Sequence, residues 1–399
     1  MRSPLPTFPA VSRRNRPEVA DVFRRYFDKY RSDNRLSAEQ YKIARHIRYC
    51  RTAAMGGHIE ACDACGHKRI AYNSCRNRHC PKCQSLVKER WLSARKAELL
   101  PCGYFHLVFT LPHLLNPLVL HNRKRCLGLL FAAVNHTLQS FAADTEWRLN
   151  GQLGFIAVLH TWSQTLIDHF HLHCLIPAGA LSQDGDRWIR ARKNYLFRVT
   201  SLAACFKKRY LAQLEALYRK GQLALPENWA PGQLEAVLAK AGKTKWIAYA
   251  KRPFAGPEQV LEYLSRYTHR VAIANHRLRS IDDNRVSFAY KDRQNGNANK
   301  TMTLDAEEFI RRFLLHVLPS GFTKIRYFGF LAHTRKKKAV AHIRRIIDPL
   351  LTPPEAKSET TREIMLRITG RDIARCPQCG NGKIVVVARL PSPFYRDTS

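Results

Sequence analysis

The sequence predicts an α+β fold built on a mainly antiparallel sheet, with a small metal-folded module at its N-terminal end. Three observations carry this expectation. Strand and helix signals alternate from about residue 101 onward, which suits a sheet with helices packed on it. Six of the twelve cysteines fall between Cys50 and Cys83, in irregular sequence. The chain has 399 residues, enough for two or three domains with a sizeable core.

Residues 1–16 are rich in proline and arginine and read as poorly ordered. Helical periodicity follows over Val19–Tyr30, and Ser37-Ala38-Glu39-Gln40 has the form of a capping box that opens a second helix. After the cysteines, Leu86–Leu100 reads as a basic helix, and residues 1–100 as one basic module. Tyr104–Leu111 is a β-type run stopped by Pro112, Leu115–Leu149 looks helical, and Gly154–His160 looks like a strand. Phe170–Ile176 is a further strand, followed by a turn at Asp184-Gly185-Asp186. Helical sequence returns at Ser201–Lys220. Residues 221–256, broken by Pro and Gly, read as an insertion. Pro257–Thr268 suits a helix with proline in its first turn. Val271–Ala289 contains a hairpin, Glu307–Val317 a helix and Phe322–Leu331 a strong strand. The catalytic-sized domain thus spans 101–346, and 347–399 reads as a tail with one more cysteine pair.

Lys plus Arg number 67 against 31 Asp plus Glu, a formal net charge of +36 spread along the chain. Nucleic acid is the partner such a field most often meets. No stretch reads as a bilayer span, and no basic helix shows a clear Trp/Leu face. The opening Met1-Arg2-Ser3-Pro4-Leu5-Pro6 has no apolar signal region, so the cysteines are expected to be reduced.

Clustered, reduced cysteines need a metal. Cys62-Asp63-Ala64-Cys65 and Cys80-Pro81-Lys82-Cys83 are two C-x2-C knuckles at the spacing of a tetrahedral four-cysteine zinc site. Cys75 and His79 lie inside the region, as replacement ligands or part of a second site. Cys376 and Cys379 are half of another site, completed by distant residues, or else plain thiols. Zinc would fold this module, since metal binding supplies folding energy.

His171 and His173 alternate with Leu172, so an extended strand would present both imidazoles on one face. Tyr263 and Tyr267 stand four apart and would share one face of a helix. Taken alone, each pair is explained as well by ordinary core packing and hydrogen bonding. Together they suggest a divalent cation facing a tyrosine nucleophile, which is phosphoryl-transfer chemistry.

The segments HTWSQTLIDHFHLHCLIPAGAL (160–181) and YLSRYTHRVAIANHRL (263–278) resemble the HUH-endonuclease transposases of the insertion-sequence ninety-one group. So do YFHLVFTLPHLLNPL (104–118), CRNRHCPKCQ (75–84) and GFTKIRYFGFLAH (321–333). The resemblance implies an HUH-type catalytic domain with a central antiparallel sheet and an N-terminal zinc-binding domain. It implies cleavage of single-stranded DNA by tyrosine, giving a 5′-phosphotyrosine, then strand transfer by a rolling-circle-like route. Its metal-binding histidines fall on His171 and His173 and its nucleophiles on Tyr263 and Tyr267, the two-tyrosine type. His160 is the third ligand chosen here, ahead of Gln164 and Asp168; Asp168 could instead orient a histidine from behind. Mg²⁺ or Mn²⁺ is expected, because a site with few protein ligands leaves room for water and phosphate oxygens. The expected partner is DNA, as single-stranded element ends and target, in a bacterial cytoplasm at the nucleoid; a homo-oligomer stays open.

Rival readings are a relaxase or replication initiator with the same chemistry, a zinc deaminase built on His58-Ile59-Glu60, and a non-catalytic zinc-finger DNA-binding protein.

Overall fold

A computed structural model describes residues 16–147, 149–192, 195–251, 259, 261–262, 268, 272–292, 295–351 and 359–393. Tyr263 and Tyr267 lie outside the described residues, as does most of the predicted helix 257–268.

Helix α1 (Val19–Asp33) buries Val19, Val22, Phe23 and Phe27 on one face. Helix α2 (Ala38–Tyr49) starts at the predicted capping box: Gln40 N–H donates to the Ser37 hydroxyl, and the Gln40 side chain accepts from Ser37 N–H. Strands β1 (Gly57–Cys62) and β2 (Lys68–Tyr72) form a hairpin, followed by helix α3 (Gln84–Lys96).

Next come β3 (Tyr104–Thr110), α4 (Asn116–His121) and α5 (Arg123–Ala143). The predicted single helix over 115–149 breaks at Asn122, whose backbone leaves the helical region. The chain continues through β4 (Gly151–Gln152), β5 (Gly154–Trp162), β6 (Asp168–Pro177), β7 (Gly179–Ser182), β8 (Trp188–Arg190), α6 (Val199–Arg219), α7 (Gln233–Lys243) and β9 (Ile247–Lys251). A hairpin sheet of β10 (Leu278–Asp282), β11 (Arg285–Asp292) and β12 (Ala298–Asp305) leads into α8 (Ala306–Leu314). The last elements are β13 (Ile325–Gly329), α9 (Lys336–Ile347), α10 (Thr361–Thr369) and β14 (Ile384–Leu390).

The central sheet has five strands in the order β13-β5-β6-β3-β9, every neighbouring pair antiparallel. Strand alternation sorts its residues between two faces. Phe105, Leu107 and Phe109 of β3, with Phe155, Ala157 and Leu159 of β5 and Leu172 and Cys174 of β6, pack beneath α5 and α6 in the largest core. The opposite face carries His106, Val158, His160, His171, His173 and Leu175. Tyr104, Ile156, Val158 and Leu175 on that side pack with Leu261, Phe330, Val340 and Ile343 in a smaller core.

Three expectations are corrected. Residues 221–256 are not an insertion: Leu223, Leu234, Ala241 and Trp246 enter the main core, and β9 forms the sheet edge beside β3. Residues 1–100 and 347–399 are not self-contained, because β14 pairs with β1 in a sheet ordered β14-β1-β2. Helices α1 and α2 also share their core with β10, β11 and α8. These partners are hundreds of residues apart, beyond the reach of local pattern. Finally, α5 is long and apolar enough to cross a membrane by length and composition, with half of its most apolar window buried in the protein. Leu127, Leu130, Phe131, Val134 and Leu138 of that helix pack against the central sheet.

Candidate active site and cysteine centres

Register brings the histidines together. His160 on β5 pairs directly with His171 on β6, and Val158 with His173, so all three imidazoles share one face. Their ligand nitrogens lie within 4.8 Å of one another, and all three side chains are buried. Ligands about 2.1 Å from one ion stand roughly 3–3.5 Å apart, so a small contraction would let the three hold a single cation. Burial and the neighbouring imidazoles hold the His160 pKa well below its usual value, keeping this ring neutral as ligation needs.

The rings are oriented from behind. A backbone carbonyl can only accept, so His171 Nδ1 carries the proton in its 2.8 Å bond to His169 O and turns Nε2 outward. His173 Nδ1 lies 2.8 Å from His106 Nε2, with the two rings stacked nearly parallel at 5.0 Å. With His106 as acceptor, His173 likewise presents Nε2. His106 was not anticipated. Its only trace in the sequence is a histidine on the alternate face of the YFHLVFTL run, two strand positions from Val108, which faces His173.

Asp168 stands opposite Trp162, beyond a one-residue register shift in the β5–β6 pairing that follows His160. Burial raises its carboxyl pKa against the pull of Arg123 and Arg311, and its Oδ1 has no hydrogen-bond partner among the described residues. The expected fallback ligand Gln164 lies in the β5–β6 turn, where its carbonyl accepts from Arg277 at 2.6 Å. Arg312 and His316 hold the same turn through the carbonyls of Thr165 and Leu166. Leu166 has φ of 64° and is fully buried in the second core, so that core anchors the turn next to His160 and His171.

The chain beside the tyrosines meets the histidine side of the sheet at Leu261. Leu261 is fully buried in the core that contains Ile156, Val158 and Leu175, on the histidine side of the sheet. Glu262 reaches Lys96 at 3.6 Å, and Thr268 is buried.

The cysteines form two sets, neither of them the predicted one. Cys50, Cys75, Cys80 and Cys83 make one, and Cys62, Cys65, Cys376 and Cys379 the other. The β1–β2 hairpin explains the separation. Cys62 and Cys65 sit at its turn, whereas Cys50 precedes it and Cys75 follows it, at the opposite end. Six residues of strand put about 20 Å between the two ends. At the turn, β14 brings in the C-terminal knuckle, with Ile384 paired to Cys62. Sγ–Sγ separations of 3.5 Å (Cys50–Cys83), 3.6 Å (Cys75–Cys83) and 3.7 Å (Cys62–Cys379 and Cys65–Cys376) match the roughly 3.8 Å edge of a tetrahedron with 2.3 Å Zn–S bonds.

Hydrogen bonds favour the thiolate at Cys379 and Cys83, while neighbouring thiols raise Cys75 and Cys80. The N–H groups of Ala64 and Cys65 point at Cys62 Sγ, and that of Gly382 at Cys379 Sγ, each at 3.4 Å. Backbone donors at Gly382 and Asn381 pull Cys379 down to about 6. Bonds from Cys50, Cys75 and Cys80 hold Cys83 far below the usual thiol range. His79 is not a ligand: its Nε2 accepts from Leu318 N–H at 3.3 Å, its Nδ1 faces Asn77, and burial lowers its pKa to about 3. His58 and Glu60 pair with each other at 3.0 Å on β1, and neither belongs to a cysteine set, which removes the basis of the deaminase rival.

A family model described as "Transposase zinc-binding domain" matches residues 22–111, and one described as "Putative transposase" matches residues 154–338. Together they define the class, a transposase with its own zinc-binding domain. The chain is 46% identical over 385 residues to "Putative transposase y4qJ" of Sinorhizobium fredii (strain NBRC 101917 / NGR234), covering 94% of this chain and 96% of the relative. It is 29% identical over 295 residues to "Transposase for insertion sequence element IS801" of Pseudomonas savastanoi pv. phaseolicola, covering 71% of this chain and 68% of that one. No solved structure matches. The chain belongs to the transposases of the insertion-sequence ninety-one group.

Proposed function

We propose that this transposase cuts single-stranded DNA with Tyr263 or Tyr267 and rejoins it through a 5′-phosphotyrosine intermediate. The observation that carries the reading is the gathering of His160, His171 and His173 on one sheet face, with their ligand nitrogens within 4.8 Å of one another. A cation bound there supplies Lewis-acid polarisation of the scissile phosphate. Three imidazole nitrogens suit Mn²⁺ better than the strongly oxygen-preferring Mg²⁺. The tyrosine Oη attacks phosphorus in line, the P–O3′ bond breaks, and the 3′-oxygen leaves and takes up a proton. Because the phosphoester energy is kept, a 3′-OH can reverse the step on another strand. A second tyrosine permits a new cut while the first is occupied.

Leu261, two positions before Tyr263 in the sequence, is buried in the core on the histidine side of the sheet, which supports the reading. Incubation of the full chain with 3′-end-labelled single-stranded element DNA and Mn²⁺ should give a labelled protein band on a denaturing gel. The double variant Tyr263→Phe/Tyr267→Phe should give none, and an adduct surviving in that variant would sink the reading. A relaxase or replication initiator shares this step, but both family models and both relatives are described as transposases.

Cys50/Cys75/Cys80/Cys83 and Cys62/Cys65/Cys376/Cys379 are proposed to hold one structural zinc each. His106 is proposed as the positioning residue for His173. His106→Ala should raise the Mn²⁺ concentration for half-maximal cleavage about 10–100-fold and weaken Mn²⁺ binding without DNA by a similar factor. His106→Gln, whose amide can occupy the place of Nε2, should recover most of the loss. An alanine variant that binds Mn²⁺ like the wild type would contradict the assignment.

A further inference from the structure

The histidine face does not end at the histidines. Across β6, β3 and β9 one row of directly opposed residues runs His173, Val108, Tyr249, and the next runs His171, Thr110, Ile247. Opposed residues in an antiparallel sheet share a face, so Ile247 and Tyr249 lie on the histidine side, two strands from His171 and His173. At strand spacings of about 4.8 Å, that offset is about 10 Å. The other parity of the same strand, Ala248 and Ala250, packs into the main core, as does Trp246 just before it.

Ile247 and Tyr249 are nevertheless 57% and 52% exposed. An isoleucine and a tyrosine side by side on an edge strand make an apolar floor open to solvent. Lys243 and Lys245, both exposed, immediately precede the strand. A protein of net charge +36 thus offers an aromatic ring, an aliphatic neighbour and flanking ammonium groups beside the place where a phosphate would be cut. Single-stranded nucleic acid fits this combination: bases stack on exposed aromatic side chains while cations follow the phosphates.

We infer that Tyr249, supported by Ile247, is a stacking platform for an unpaired base of the DNA strand next to the scissile phosphate. This rests on the proposed single-strand cleavage site and adds a substrate-binding residue to it. The platform holds the strand across the sheet so that the phosphate backbone passes over the histidines. Stacking is blind to base identity, so this contact contributes affinity and register rather than sequence readout.

The test is fluorescence anisotropy of a labelled oligothymidylate with the full chain, comparing wild type, Tyr249→Ala and Tyr249→Phe. Tyr249→Ala should bind about tenfold more weakly, within the range found for loss of one stacked base, and Tyr249→Phe should bind like the wild type. On an oligonucleotide of abasic sites, wild type and Tyr249→Ala should bind alike, because there is no base to stack. The exposed position makes misfolding an unsuitable explanation for a loss confined to base-bearing strands. Unchanged affinity of Tyr249→Ala for oligothymidylate, or an equal loss on abasic strands, would overturn the platform. Failure of the wild type to form a covalent adduct would count against the cleavage chemistry instead, and leaves this binding comparison intact.

Discussion

His171→Ala is expected to lower single-strand cleavage about a thousandfold while single-strand DNA affinity falls less than about threefold. A Lewis acid at a transferring phosphoryl group contributes several kcal/mol, and about 4 kcal/mol corresponds to a factor of about a thousand. His171 is one of the three clustered ligands: it pairs across strands with His160 and shares its strand with His173. Its loss leaves two nitrogens on one side of the site, which cannot enclose an ion. DNA affinity comes mainly from lysine and arginine contacts to phosphates spread over a chain of charge +36 and is barely touched. Because His171 is buried, the thermal midpoint of the variant must be measured beside cleavage. Parallel losses of binding and cleavage in a folded variant would show that the histidines are not there for a cation.

The second large effect concerns the cysteines. Metal analysis of the purified chain should find one zinc for each four-cysteine set, and Cys379→Ser and Cys83→Ser should each remove one of them. Binding free energies of about 10–16 kcal/mol for a structural zinc exceed the stability of most domains, so either loss should unfold its part of the molecule. Cys379→Ser is the informative variant. In the arrangement expected from sequence spacing, Cys62 and Cys65 would join Cys80 and Cys83, and a change at Cys379 would leave the first zinc in place. In the structure it breaks the centre that Cys62 and Cys65 share with the other end of the chain. Loss of one zinc together with protease sensitivity around β1 and β2 is predicted. Full zinc content in Cys379→Ser would contradict the shared centre.

Local signals were reliable wherever the cause was local. The capping box at Ser37 and the strand carrying His171 and His173 follow from neighbouring residues, and the structure contains both. His160 lies beside His171 because a short turn joins β5 to β6, which brings strand ends near in sequence near in space. The failures are long-range. Nothing around Cys62 distinguishes Cys80 from Cys379 as its partner; the choice is made by the length of the β1–β2 hairpin and the pairing of β14. Residues Ile247–Lys251 looked like part of an interrupted loop, because five residues at a sheet edge carry too little pattern to stand out from the Pro/Gly-rich sequence before them. His106 was invisible for another reason. A single histidine in an apolar strand becomes an orienting partner only through the neighbouring strand's register.

Peptide mapping of the covalent adduct shows whether Tyr263 or Tyr267 takes the DNA phosphate. Arg266 falls between the two tyrosines, so trypsin separates them into different peptides. The adduct formed with single-stranded element DNA and Mn²⁺ would be digested with nuclease and trypsin, then read by mass spectrometry. A nucleotide 5′-phosphate is expected on a peptide containing Tyr263 or Tyr267 and on no other. The same modification on a serine, or on a tyrosine elsewhere in the chain, would contradict it.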